Sequence, residues 1–87
     1  MMTSAQMRAA RALLGIDQKR LAELSGLSVP TIQRMEASDG NVRGNVDSLT
    51  KVVEALNAAG VDLIGDEAPS PEGGRGVRLR TAARKDA

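Results

Sequence analysis

A single glycine between two short apolar-periodic runs constrains this chain more than any other feature. In "QKRLAELSGLSVPTIQRMEA", Gln18 to Ala37, Gly26 can take the positive φ that a sharp reversal requires. Ala22, four positions earlier, is small enough to let two helices touch at the corner. Ile32, six positions later, supplies an apolar key from the second helix into the first. The spacing predicts a helix capped by Asp17 and running to about Leu24, with Leu21, Ala22 and Leu24 inward. The second helix is capped by Ser28, with Pro30 in its first turn, where a missing N–H costs nothing. Val29, Ile32 and Met35 form its inner stripe.

The flanking segments supply what such a corner packs on. Thr3 and Gln6 fit a capping box, Met7, Ala10, Arg11 and Leu14 recur at helical spacing, and Gly15 ends the run. A helix over residues 4 to 14 follows. "SDGNVRGN" reads as a loop by its Gly, Asn and Asp content. A further helix begins near Val46 or Asp47, carries Leu49, Val52, Val53 and Leu56 on one face, and stops at Gly60. Beyond Gly60 the period changes. "VDLI" (Val61 to Ile64) and "GVRLR" (Gly76 to Arg80) read as two short strands joined through the Gly- and Pro-rich "GDEAPSPEGGRG". The expected fold is mostly α: four helices in residues 1–60, a two-stranded β extension in 61–80, and a flexible basic tail in 81–87. An isolated hairpin is marginal and must pack on something.

Composition narrows the chemistry. The 87 residues contain no cysteine and no histidine, which removes disulfides, ordinary zinc sites and histidine acid–base pairs. No metal, no cofactor and no enzymatic activity are expected, because no catalytic set can be assembled. The chain has no aromatic residue, which argues against single-stranded nucleic acids, bound by base stacking. Duplex recognition through phosphates and groove edges needs none. Net charge is only +1 and does not by itself imply nucleic acid. No apolar run is long enough to span a bilayer, and "MMTSAQMRAARA" lacks the apolar block of a secretory signal. A cytoplasmic, nucleoid-associated protein with no membrane partner is the expectation.

The combination of small residue, glycine and buried aliphatic at this spacing is the helix-turn-helix pattern. "LLGIDQKRLAELSGLSVPTIQRMEA" resembles the DNA-binding domain of lambda-repressor/Cro-like (XRE) transcriptional regulators, over about residues 5 to 58. The resemblance implies a double-stranded DNA operator as partner, with the helix capped by Ser28 lying in the major groove, its N-terminal residues facing base edges. Ile32 and Met35 face inward, so Val29, Pro30, Thr31, Gln33 and Arg34 are the implied base contacts. Arg34 matches guanine O6 and N7, Gln33 pairs with adenine, and Val29 and Pro30 offer apolar contact to a thymine methyl. Gln18, Ser28, Asn41 and Arg43 are the implied phosphate contacts. Arg11 and Glu36 match a partly buried ion pair found in many relatives.

This sequence departs from the family at several points. Pro30 stands where many relatives place a hydrogen-bonding residue, and Ile16 where a tryptophan is frequent. A strand pair replaces the fifth helix often used for dimerisation. Relatives usually bind two half-sites as dimers, so a homodimer is expected, with Val61, Leu63, Ile64, Val77 and Leu79 at its interface. The helix that stops at Gly60 is a further contributor. A different class of function is an antitoxin-like or adaptor module, with a protein partner on "VDLI" and the basic tail. The Arg75–Lys85 cluster reads either as a phosphate-contacting arm or as a solubilising tail. "GGRG" is not a phosphate loop, since no Gly-Lys-Ser/Thr follows it.

Overall fold

The computed structural model describes residues 2–65 and 73–80. Asp66, Glu67 and Glu72 of the acidic connection, and the tail 81–87 with Arg84 and Lys85, lie outside the described residues. Four helices are followed by a hairpin: α1 (Ser4–Leu14), α2 (Gln18–Ser25), α3 (Val29–Glu36), α4 (Val46–Ala58), β1 (Val61–Ile64) and β2 (Gly76–Leu79). This is the mostly helical architecture with a two-stranded antiparallel extension that the sequence predicts.

Local chemistry sets each boundary. Thr3 Oγ1 accepts the Gln6 N–H at 3.0 Å while Gln6 Oε1 accepts the Thr3 N–H at 2.9 Å, closing the capping box at the start of α1. Gly15 ends α1 and Gly26 ends α2, both in the left-handed region, at φ 68° and 75°. Asp17, Ser28 and Asn45 each accept a backbone N–H as N-cap of the following helix.

One element differs from expectation. Leu24 is exposed, and Ser25 takes the inward position. At about 100° per residue, position 25 falls between Leu21 and Ala22, whereas position 24 falls about 60° outside their arc. The Ser25 hydroxyl is satisfied by donating to the Leu21 carbonyl at 2.8 Å, so its burial leaves no polar group unpaired.

The core is aliphatic and methionine-built. Met2, Met7, Leu21, Ile32, Met35, Val52, Leu56 and Val61 are fully buried. Unbranched methionine fills irregular gaps, which suits a core with no aromatic ring. α1 packs against α3 and both strands, α2 against α3 and α4, and α4 against β1. The hairpin pairs Val61 with Leu79, Asp62 with Arg78, Leu63 with Val77, and Ile64 with Gly76.

Both ends of the hairpin are fastened to the helices. Gln6 Nε2 donates to the carbonyls of Ile64 and Gly76, each at 2.9 Å. At the other end, Arg80 donates to Asp62 and to the Asn57 carbonyl. The N-terminal segment is fastened as well. The Met2 carbonyl accepts the Val42 N–H at 3.0 Å, and the Ser4 N–H donates to Gly40 at 2.8 Å. No helix among the described residues is long and apolar enough to cross a membrane.

Candidate nucleic-acid interface

α3 has one face anchored and one face open, and its sequence decides which residues fall on each. Ile32 and Met35, three residues apart, are buried against the core, and Glu36 is buried beside them at 4% exposure. Pro30, Gln33 and Arg34 are exposed, and Thr31 is half-buried at the margin. Val29, expected among the base contacts, is half-buried and packs against the core. Ser28 caps the helix by accepting the Thr31 N–H at 3.2 Å, and its hydroxyl lies 2.9 Å from that of Thr31.

Glu36 fixes the helix in place. Arg11 grips it as a fork, with Nε donating to Oε2 at 2.6 Å and Nη2 to Oε1 at 2.8 Å. Gln18 Nε2 donates to the same Oε1 at 2.9 Å, and Arg8 Nη1 donates to the Glu36 carbonyl at 2.7 Å. Arg11 also donates to the Ile16 carbonyl at 3.2 Å. One residue of α3 is thereby tied to α1, to the turn after it, and to the first residue of α2. Burial alone would push the Glu36 carboxyl up. The hydrogen bonds from Arg11 and Gln18, with the charges of Arg11 and Arg8, outweigh it and hold the carboxyl below the usual range. The same hydrogen bond raises the Arg11 guanidinium further above its ordinary value.

The cations divide by partner. Arg8 and Arg11 are spent on Glu36, Arg20 pairs with Glu23, Lys51 with Asp47, and Arg78 and Arg80 with Asp62. Arg75 is also engaged. Among the described residues, Lys19, Arg34 and Arg43 hold no ion pair or side-chain hydrogen bond. They sit at the start of α2, on the open face of α3, and in the loop that leaves it. Arg34 and Arg43 line one open groove of about 480 Å³, with Ala37, Ser38, Asp39 and Gly44. Its loop is pinned where Ser38 Oγ accepts the Arg43 N–H at 2.9 Å. Asn41 is exposed, and its backbone bridges to Thr3.

The structure redistributes several sequence-derived roles. Gln18 was read as a phosphate contact, yet its amide holds Glu36; the second amide hydrogen and the first backbone N–H of α2 are what it has left to offer a phosphate. Arg80 and Arg78 brace the hairpin, so they are not loose members of a basic arm. Val61, expected at a dimer interface, is buried inside the protomer and presents no surface to a second copy. The two-residue period of a strand explains this. Val61, Leu63, Val77 and Leu79 share the face turned to the core, which leaves Ile64 on the other face. Sequence reasoning missed Arg8 and Lys19, and gave Gln6 its place in the capping box but not its hold on the hairpin. Only Lys19 had a usable signal, a cation beside Gln18 at a helix start.

Comparison with curated proteins returns no match. The helix-turn-helix family model matches residues 7–63, well over half of the chain and the whole of the corner built by α2 and α3. With its anchored and open faces of α3 and its αL turn at Gly26, the chain belongs to the lambda-repressor-like helix-turn-helix family of DNA-binding transcription regulators.

Proposed function

We propose that this protein is a sequence-specific, double-stranded DNA-binding regulator that acts as a homodimer and represses by occupying an operator. The observation that carries this reading is the placement of the unpaired cations. Lys19, Arg34 and Arg43 all belong to α2, α3 or the loop after them, while every other described cation is engaged within the protein. A cation without a partner gains most from meeting a phosphate or a guanine edge, since no existing bond must be given up.

In this reading α3 enters the major groove. Arg34 reads guanine, Gln33 reads adenine, Thr31 reads through its hydroxyl, and Pro30 and Val29 meet a thymine methyl. Arg43, Asn41, Ser28 and Gln18 hold phosphates on either side and set the register. The anchoring of Glu36 gives the open face a fixed orientation before DNA arrives.

Binding to duplexes selected from a random library, measured across a salt series with wild type and Arg34→Ala, tests the proposal. Wild type selects a defined sequence, and Arg34→Ala weakens its binding by about 1–3 kcal/mol while relaxing preference at one base pair. Equal binding to all sequences would sink the regulator reading and favour an adaptor or antitoxin-like module that contacts a protein.

A further inference from the structure

The hairpin has an edge that nothing among the described residues completes. The Arg80 N–H donates to the Gly60 carbonyl at 2.8 Å, so those two residues form a hydrogen-bonded antiparallel pair. Alternation along the ladder makes Asp62–Arg78 and Ile64–Gly76 hydrogen-bonded pairs too. Leu63 therefore turns its N–H and C=O groups away from β2, as does Val61, but Val61 is buried and only the Leu63 edge is within reach of a second copy. Among the described residues, no other backbone group bonds to them. A groove of about 320 Å³ runs along this edge, lined by all four β1 residues, by Val53 and Asn57 of α4, and by Arg78. Its α4 wall includes Val53, which the protomer leaves half-buried.

Charge identifies what fits there. Open strand edges are ordinarily guarded by an unpaired charge, a proline or a bulge. β1 has none of these. Its one charged side chain, Asp62, is neutralised by Arg78 and Arg80. Two copies can therefore meet at β1 without repulsion. β2 is a poorer alternative, because Arg78 and Arg80 share one carboxylate, Asp62, and two copies meeting there would bring the uncompensated positive charge of each together.

We infer that β1 pairs antiparallel with β1 of a second copy about a two-fold axis at Leu63, forming a four-stranded sheet. The register follows from the extent of β1 and two further requirements, since a two-fold at Val61 or Ile64, the ends of the strand, would pair little of it. Inward and outward side chains must stay on matching faces, which restricts the two-fold to a residue position. A two-fold at Asp62 would set the two Asp62 side chains opposite each other. At Leu63, Asp62 instead faces Ile64 of the second copy, and the Leu63 N–H and C=O groups are exchanged between copies. The added strand also covers Val53. This interface deepens the homodimer of the proposed regulator and rests on that reading.

The absence of native cysteine makes the register readable by cross-linking, in the full chain and without DNA. Leu63→Cys places two thiols on directly opposed residues, about 5.5 Å apart at Cα, within disulfide reach. It is expected to form a covalent dimer on mild oxidation. Asp62→Cys and Ile64→Cys are each expected to stay uncross-linked alone and to join when mixed, because they oppose each other at about 4.5 Å. That mixed pair keeps the test alive if Leu63→Cys folds poorly. Self-linking of Asp62→Cys or of Ile64→Cys, failure of the mixed pair, or a strict monomer in sedimentation at micromolar concentration overturns the interface. A monomer that still selects a DNA sequence refutes the interface alone. A correctly cross-linked dimer indifferent to DNA sequence refutes the regulator reading alone.

Discussion

Two carboxylates in this protein are each held by two side chains, Glu36 by Arg11 and Gln18 and Asp62 by Arg78 and Arg80, and they do different work. Glu36 is 4% exposed and ties α3 to α1 and α2. Asp62 is 27% exposed and ties β1 to β2, with Arg80 reaching on to the end of α4. Around Glu36 the desolvation cost is the largest influence on the carboxyl, and the hydrogen bonds must overcome it. Around Asp62 the hydrogen bonds from Arg78 and Arg80 are the largest influences, and desolvation is secondary. Both carboxyls are held below the usual range, but only one of them becomes expensive when its partners are removed. The buried junction sets an orientation; the exposed one staples an edge.

The largest expected effect breaks the buried junction. Arg11→Ala leaves the Glu36 carboxylate buried without its fork and costs about 3–5 kcal/mol of stability. In a double-mutant cycle by denaturant unfolding, Arg11→Ala and Glu36→Ala couple strongly, and additive losses would show that the pair is not acting as a unit. Acid exposes the same junction. A carboxyl whose folded pKa is depressed contributes stability above its unfolded value, near 4.5 for Glu36, and loses it as pH falls through the folded value. Thermal melts between pH 7 and 5 should therefore agree, with destabilisation setting in below about pH 4.5. In the Glu36→Gln variant the acid-dependent part shrinks.

The open face of the same helix gives the next effect. Arg34→Ala weakens DNA binding by about 1–3 kcal/mol, yet unfolding stability moves by no more than about 0.5 kcal/mol, since Arg34 has no partner among the described residues. Equal losses in binding and stability would erase the contrast between the two faces. Asp62→Asn gives the smallest effect. It lowers the melting temperature less than Arg11→Ala does, and added salt narrows the difference from wild type. An insensitivity to salt would mean that the hairpin is held by its Gln6 bonds and apolar face alone.

Much of the helical part was legible because local signals coincided. Thr3 with Gln6, Asp17, Ser28 and Pro30 each mark a helix start by chemistry that acts within one turn. Gly15 and Gly26 mark two ends by the backbone conformation they permit. The strands were legible from their period, but not the direction in which they face. Val61, Leu63, Val77 and Leu79 look like interface residues until α1 and α4 are seen beneath them. Leu24 was misplaced for a related reason. Hydrophobicity suggested an inward side chain, and the helical angle from Leu21 and Ala22 placed a serine there instead.

The candidate site divides along the same line. Which residues of α3 are outward follows from Ile32 and Met35, so Pro30, Gln33 and Arg34 could be identified from spacing alone. Which cations are available could not. Arg8, Arg80 and Arg34 are the same residue type, and only the fold brings Arg8 to the Glu36 carbonyl, Arg80 to Asp62, and nothing among the described residues to Arg34.

The sequence by itself determined the helices, their caps, the αL corner at Gly26 and the existence of two strands, because each depends on interactions within a few residues. Only the tertiary structure decided that Gln18 braces Glu36, that Gln6 fastens a hairpin some sixty residues away, and that Lys19, Arg34 and Arg43 are left unpaired among the described residues. Such pairings depend on which distant groups meet and lose their water together, and no local pattern encodes that.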